Sequence, residues 1–446
     1  MSDVYIVHCI DTEGPLYESL DATFERIKHV YHLDIEPSAE NLKKLQLGEM
    51  AIPDDLIEPL RMMLDPNILS YNTTWKDIDY MLDIVHNNTF RNSLLDSDNN
   101  GWKYNWFCCD FVGYDYNPRR RDMGYHAIFD HYSKYMKNDF IGFHYHPRPF
   151  KSEAHICATN WLHTDYLFQI LSRRIIDRNW FPAVNRPGFQ VNRPDSNWFL
   201  EQYIPFDYSN MSCKITDHDN KQSDFSHGRS GDWRRAPMSW VPYHPSHDDY
   251  QIPGDCRRWI ARCLNIGTRS YLIDQNEVNK SFELSSDQPQ ILSFTNHDFR
   301  DISIDIDNMR NMLSVAKEKY PDVKFHYSDP ISAIRNAMNI KKENKCEFET
   351  SIDGDNLYSK LSISTKNPTF GPQPYFCIKT KSNQYFHDNL DFQVPFHDWT
   401  YVFDMETFNI DSIDKIGIAS NNSYGVTSVC VIDPNDGNIN KTYYNL

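Results

Sequence analysis

No run in this chain approaches the roughly 18 consecutive apolar residues that a membrane-crossing helix needs. The N-terminus also lacks the basic, apolar and small-residue succession of a secretory signal. Together these absences predict a cytoplasmic protein with no transmembrane segment. No CxxC pair occurs among Cys9, Cys108, Cys109, Cys157, Cys213, Cys256, Cys263, Cys346, Cys377 and Cys430, which excludes a zinc ribbon and argues for reduced thiols over a disulfide framework. Positive charge is outweighed: 45 Lys and Arg face 62 Asp and Glu, giving a formal charge of -17. A nucleic-acid or anionic-membrane surface needs the opposite balance. The basic run Arg119-Arg120-Arg121 is too short to change this and reads as a solvated loop. Missing Gly-x-Ser-x-Gly and phosphate-loop patterns disfavour a serine hydrolase and a nucleotide-phosphate enzyme. No internal repeat or low-complexity tract is visible.

What is present suffices for large cores: 446 residues, 40% apolar and 14% aromatic, a length that suggests two or three folding units. Residues 1–340 alternate strand-like and helix-like segments, the pattern of an α/β domain. Residues 346–446 read instead as short strands broken by Asn, Asp, Gly and Pro, and predict an antiparallel β-sandwich. Its expected strands are 357–364, 375–381, 391–394, 400–404, 415–419 and 427–433. The change falls near Lys341-Lys342-Glu343-Asn344-Lys345, after a last strand (323–327) and a helix opened by Ser328-Asp329-Pro330. Between the first strand and the next clear one, 102–109, lies too much chain for a simple crossover, so an insertion is expected at about 31–100. Helical periodicity marks 38–46, 54–64 and 74–85, with Ser38, Asp54 and Thr74 as caps. A wall over a site and a plain packing excursion both fit. Residues 206–253 read as long loops over a site.

Four strand-like runs end in metal-seeking or proton-transferring side chains, and alternation along a strand decides which of these face together. In Val4 to Glu13, positions Tyr5, Val7, Cys9, Asp11 and Glu13 share a face, so the two carboxylates are neighbours. In Phe140 to His146, Gly142, His144 and His146 share a face, opposite Ile141, Phe143 and Tyr145. In Ile291 to His297, Ser293, Thr295 and His297 lie opposite Leu292 and Phe294. The fourth run ends in Asn185-Arg186-Pro187-Gly188.

Two histidines and one carboxylate make a facial set that leaves positions open on a catalytic zinc or iron, with Glu13 or Asp11 as the acid. An isolated His-x-His arises on exposed strands without metal; the acid pair and the late His297 are what raise its meaning. Two adjacent carboxylates are costly to keep ionised without a cation between them, which suggests one ligand and one proton acceptor. A capping or loop-anchoring acid pair before Gly14-Pro15 is the blander alternative. Arg186 can hold a carboxylate in a charge-assisted pair, or be a surface arginine in a turn. Asp232, in Gly231-Asp232-Trp233, can orient an imidazole such as His297.

In this order the motifs resemble those of the polysaccharide deacetylases of the NodB-homology class, carbohydrate esterase family 4 and relatives. They are Ile10-Asp11-Thr12-Glu13-Gly14, Ile141-Gly142-Phe143-His144-Tyr145-His146-Pro147, Asn185-Arg186-Pro187-Gly188-Phe189, Gly231-Asp232-Trp233 and Thr295-Asn296-His297. The resemblance covers about residues 1–340. It is nearest to the intracellular branch associated with lipopolysaccharide and capsule loci, which Tyr243-His244-Pro245-Ser246, Asp248, Asp249 and Gly254 also resemble. It implies a distorted (β/α) barrel with its site at the strand C-terminal ends. By position it implies Asp11 as general base, Glu13, His144 and His146 as metal ligands, Arg186 as partner of the base, Asp232 as orienter and His297 as general acid. One departure is plain: the family spaces the two histidines four apart, and position 148 here is Arg148, so the resemblance requires His146 to reach the metal.

The implied reaction is hydrolysis of an N-acyl sugar, most simply N-deacetylation, with a divalent metal, zinc foremost, as cofactor. The expected partners are an N-acylated sugar, a sugar nucleotide or a lipid-linked glycan, with no nucleic acid, and oligomerisation through the C-terminal unit is an option. Trp102, Trp106, Trp161, Trp233 and Trp240 are candidates for stacking on sugar rings, or simply core. Two alternatives stand beside this: a non-haem Fe(II) oxygenase, and a non-catalytic sugar-binding protein on a degenerate barrel.

Overall fold

The computed structural model describes residues 2–112, 122–150, 158–214, 231–267 and 271–446. The run Arg119-Arg120-Arg121 lies outside them. Strands β1 (Asp3–Thr12), β2 (Asn105–Cys108), β3 (Phe140–Tyr145), β4 (Val184–Pro187), β5 (Phe206–Asn210), β6 (Trp259–Asn265) and β7 (Gln290–His297) run parallel and close into a barrel, because β1 pairs with both β7 and β2. An eighth strand, β8 (Lys324–Tyr327), pairs with Asp3 to Ile6 of β1, while β2 pairs with Cys9 to Thr12. The two halves of β1 therefore have different neighbours along one edge. This is the barrel's distortion.

The alternation read from sequence is the one the barrel uses. Val7 and Cys9 point inward with Ala183, Phe206, Tyr208, Ala261, Cys263 and Ile291, whereas Val4, Ile6 and Ile10 join the outer layer against the helices. Gly142 faces in where only hydrogen fits, since a Cβ there would sit 2.5 Å from the Phe107 ring. His8, on the outer face, is locked between two partners: Trp102 Nε1 donates to its Nδ1 at 3.0 Å, so Nε2 donates to Asn296 Oδ1 at 2.9 Å.

The insertion holds α1 (Leu20–Tyr31), α2 (Ala39–Leu47) and α3 (Asp54–Met63), which share a small core of Phe24, Ile27, Leu45, Leu60, Met63 and Leu64. The next helix, α4 (Trp75–Val85), packs on the barrel through Ile78, Met81, Leu82 and Val85. Ser38 and Thr74 cap as expected, Thr74 in a capping box with Asp77. Asp54 does not: Pro53 precedes the helix without a side-chain cap, and Asp54 and Asp55 sit inside the first turn, where they complement the helix dipole. After the short α5 (Asn88–Arg91) come α6 (Ala127–Ser133), α7 (Tyr166–Arg178), α8 (Pro194–Tyr203), α9 (Gln275–Leu284), α10 (Ile302–Lys319) and α11 (Pro330–Ala337). Asp329 caps α11, and Ile331, Ala333 and Ile334 of that helix join the barrel's inner cluster. Among the described residues no helix is long and apolar enough to cross a membrane, and the nine described cysteines form no disulfide with one another.

Beyond residue 346 two antiparallel sheets form. One, ordered β13-β14-β10-β9, comprises β9 (Glu349–Gly354), β10 (Tyr358–Ser364), β13 (Asp391–Val394) and β14 (Asp398–Asp404). The other, β12-β11-β15-β16-β17, comprises β11 (Tyr375–Thr380), β12 (Tyr385–Asp388), β15 (Ile413–Asn421), β16 (Thr427–Ile432) and β17 (Ile439–Tyr444). They share a core that joins Leu361, Ile363, Trp399 and Phe403 to Phe376, Ile378, Ile416, Ile418 and Cys430. The second sheet is buried on its other face too: Tyr375, Cys377, Ala419, Val429 and Val431 belong to the barrel's outer core, reached through α7. At Gly417 the contact leaves no room for a side chain, since a Cβ would lie 2.7 Å from both Cys377 Sγ and Ile175 Cγ2. Asn421 adds hydrogen bonds of 2.8 Å to the Pro182 and Tyr203 carbonyls. The β unit is thus fused to the barrel.

Gly417→Val is expected to destabilise the whole chain by about 1–3 kcal/mol through overpacking; an unchanged urea midpoint would contradict this contact. Burial holds His8 neutral, lowering its pKa from 6.5 to about 3. Unfolded chain takes that proton below 6.5 and folded chain does not, so His8's contribution is intact above 6.5 and declines as pH falls toward 3. Between pH 7 and 5 the wild type is expected to lose up to about 2 kcal/mol more stability than His8→Asn. Equal slopes in denaturant titrations at the two pH values would refute it.

Candidate metal centre

The register of β1 on β7 sets Asp11 beside His297, and that of β3 on β4 sets His144 beside Arg186, all at the C-terminal end of the barrel. Glu13, one residue past the end of β1, turns its Oε1 to within 3.1 Å of His146 Nε2 and 3.4 Å of His144 Nε2. The two Nε2 atoms are 2.9 Å apart. His144 Nδ1 lies 2.7 Å from the Arg186 carbonyl oxygen, which only accepts, so Nδ1 carries the proton and Nε2 offers a lone pair. A buried carboxylate oxygen and two imidazole nitrogens converging at these distances suit a divalent cation of the zinc type. Glu13, His144 and His146 could hold one. His146 therefore reaches the site despite its shortened spacing. Arg148 turns away, bonding the Tyr166 hydroxyl and lying 4.7 Å over its ring.

Arg186 is fully buried and binds Asp11 Oδ1 through Nε at 2.6 Å, Thr295 Oγ1 at 3.1 Å and the Tyr208 carbonyl at 2.8 Å. Burial, the largest single influence, opposes its charge, but the Asp11 carboxylate together with Cys263 and Cys9 raises its pKa, keeping it protonated. Gln190, oriented so that both amide ends are satisfied, accepts from Arg186 Nη2 at 2.7 Å. With Oδ1 so held, Asp11 presents Oδ2 to His297, whose Nε2 is 3.8 Å away and 3.9 Å from Glu13 Oε1. His297 is the more exposed partner, at 21% against 2% for Asp11, and so faces incoming molecules. The base, ligand and acid positions expected from sequence are thus one cluster.

His146 is walled by Phe111 and Phe189, with ring centroids 5.7 and 5.4 Å away. A Cβ at Gly188 would sit 2.5 Å from its ring, so glycine is required there. The turn that follows is strained: Phe189 and Gln190 have φ of 51° and 50°, rare for such residues. Gly231 N donates to the Phe189 carbonyl at 2.8 Å and Trp233 Nε1 to that of Gln190 at 2.9 Å, fastening the turn.

This corrects the role expected of Asp232. Its carboxylate pairs with Arg234 at 3.0 Å and not with His297; burial works against its ionisation, but the Arg234 bonds prevail and lower its pKa. Its neighbours Gly231 and Trp233 matter through the backbone of the turn. Of the two readings open for Trp102, Trp106, Trp161, Trp233 and Trp240, burial decides for core, since all are at most 1% exposed. The Tyr243 to Gly254 stretch bridges to Ile260 near the start of β6, at the barrel end opposite the cluster. Asp298 was not expected. Its Oδ1 accepts from Glu13 N at 2.7 Å, and its Oδ2 from Gly14 N at 3.0 Å and the Tyr132 hydroxyl at 2.8 Å; burial raises its pKa to about 7. Its place directly after His297 was the only signal.

What the fold and site define is a mixed α/β protein with a closed seven-strand parallel barrel, antiparallel sheets in its C-terminal region and a candidate cation site at the barrel mouth. No protein-family model matches the chain, and no curated protein matches it. Among solved structures, the crystal structure of an engineered protein aligns over 98% of this chain and 92% of its own, at 10% identity and a TM-score of 0.24, too slight a likeness to support any argument.

Purified protein is expected to carry about one divalent ion per chain. Glu13→Gln or His146→Ala should weaken its binding by more than about tenfold, and Asp232→Asn should leave it unchanged. Metal analysis with unaltered content in the first two variants would count against the site.

Proposed function

We propose that this chain is a metal-dependent hydrolase that removes an N-acyl group, most simply acetyl, from a sugar, on a barrel of the NodB-homology type. The observation that carries the reading is the convergence of Glu13, His144 and His146, with Asp11 and His297 on its flank. Glu13, His144 and His146 would hold the ion, zinc by their donor chemistry. Bound there, a divalent ion supplies Lewis acidity, lowering the pKa of water and drawing charge from an acyl oxygen.

The residues divide the proton work. Asp11 Oδ2 is the open oxygen of a carboxylate whose other oxygen Arg186 holds, so it is oriented to take a proton from water. The buried arginine holds that carboxylate in one orientation. His297 Nε2, on the exposed side, delivers a proton to the departing amine, without which the C–N bond breaks poorly. Phe111 and Phe189 narrow the approach beside His146 and limit water. The sugar class fits a cytoplasmic step of surface-polysaccharide synthesis, with a sugar nucleotide or lipid-linked glycan as donor of the acyl group. The fused C-terminal β unit supplies no residue to this cluster.

Released acetate should be measured with N-acetylated sugars, free, nucleotide-linked and lipid-linked, with and without chelator. Release that chelation abolishes and zinc restores is expected; Asp11→Asn and His297→Ala should each lower kcat by about 10²–10⁴ with metal still bound. Metal-loaded protein that frees acetate from none of these substrates would point to a non-catalytic sugar-binding role.

A further inference from the structure

Glu13 lies where the sheet no longer controls the chain. The β1–β7 ladder ends at the Asp11–His297 pair, the β1–β2 ladder ends at Thr12, and Gly14 turns away at φ 71°. A ligand one residue beyond a strand has no ladder hydrogen bond to fix its backbone, and a shift of about 1 Å is enough to spoil a metal site. Something else must hold it.

We infer that Asp298 is the positioning residue that fixes Glu13 for the cation, by bracketing the end of β1 from Asp11 to Gly14. Its own N–H donates to the Asp11 carbonyl at 3.3 Å, and its carboxylate accepts the Glu13 and Gly14 N–H groups at 2.7 and 3.0 Å. The loop from β1 and the loop from β7 are thereby one unit, so Glu13 cannot move independently of His297. The bracket is itself anchored twice. Tyr132 of α6, fully buried, donates its hydroxyl to Asp298 Oδ2 at 2.8 Å, and Asn72 Nδ2 donates to the Asp298 carbonyl at 2.8 Å. Both carboxylate oxygens of Asp298 are occupied by these donors, so it orients a ligand and is not one. Asparagine cannot substitute: in either orientation its amide NH2 would confront the N–H of Glu13 or of Gly14, where an acceptor is needed.

This inference rests on the metal site proposed above and is tested apart from catalysis, by Co(II) binding followed through the visible absorption of the bound ion. The variants are Asp298→Asn, Tyr132→Phe and, as comparator, Glu13→Gln, measured well below each melting temperature. Asp298→Asn is expected to weaken Co(II) about ten- to a hundredfold and shift its spectrum, Tyr132→Phe to do so more mildly, with far-ultraviolet circular dichroism unchanged. A merely structural role would lower the melting temperature and leave spectrum and affinity alone. Wild-type affinity and spectrum in Asp298→Asn would overturn the inference; if that variant does not fold, the same result in Tyr132→Phe would overturn it. A wild type that takes up no cobalt, or a Glu13→Gln variant that binds it unchanged, would bring down the metal site itself, and this inference with it.

Discussion

Everything at the mouth of the barrel depends on the register of β1. This strand closes the barrel, pairing with β7 along eight residues and with β2 only at its C-terminal end. That register places Asp11 against His297, and the odd face that carries Val7 and Cys9 into the interior also carries Asp11 to the site. A slip of one residue would send both acids to the helical layer and bury Ile6 and Ile10 in the wrong core. The apolar alternation below the site is therefore what fixes the chemistry above it.

Charge is the second constraint. Three carboxylates, Asp11, Glu13 and Asp298, are buried within one small volume. Each ion taken out of water costs several kcal/mol unless it is paired or hydrogen bonded. Arg186 serves Asp11, and backbone N–H groups with the Tyr132 hydroxyl serve Asp298. Glu13 faces two imidazoles, one of which points a lone pair at it. A cation between those three groups resolves that conflict, which is why the same geometry that reads as electrostatically awkward reads well as a coordination site.

Much of this was legible in sequence because strands alternate with period two: the shared faces of Asp11 with Glu13, of His144 with His146, and of Thr295 with His297 all hold. So did the caps Ser38 and Thr74, whose side chains act on their own helices, whereas Asp54 lies one residue inside the helix it was expected to cap. The strands β9, β12 and β17 escaped notice because they are short or exposed polar edges, and α1 because its apolar residues are scattered among charged ones. Asp298 and Gln190 were invisible for a different reason. One acts through backbone N–H groups and the other from a left-handed turn, neither of which leaves a mark on residue spacing. Asp232 was misread because its motif works through the Gly231 N–H and the Trp233 indole N–H, which bond the Phe189 and Gln190 carbonyls, and the carboxylate between them pairs locally with Arg234.

The most direct measurement is an anomalous difference map at the zinc absorption edge, from crystals grown with the ion. The account predicts one strong peak about 2.0–2.2 Å from Glu13 Oε1, His144 Nε2 and His146 Nε2, with His297 outside the coordination sphere. A map empty at that position, or one showing the two imidazoles swung apart, would contradict it.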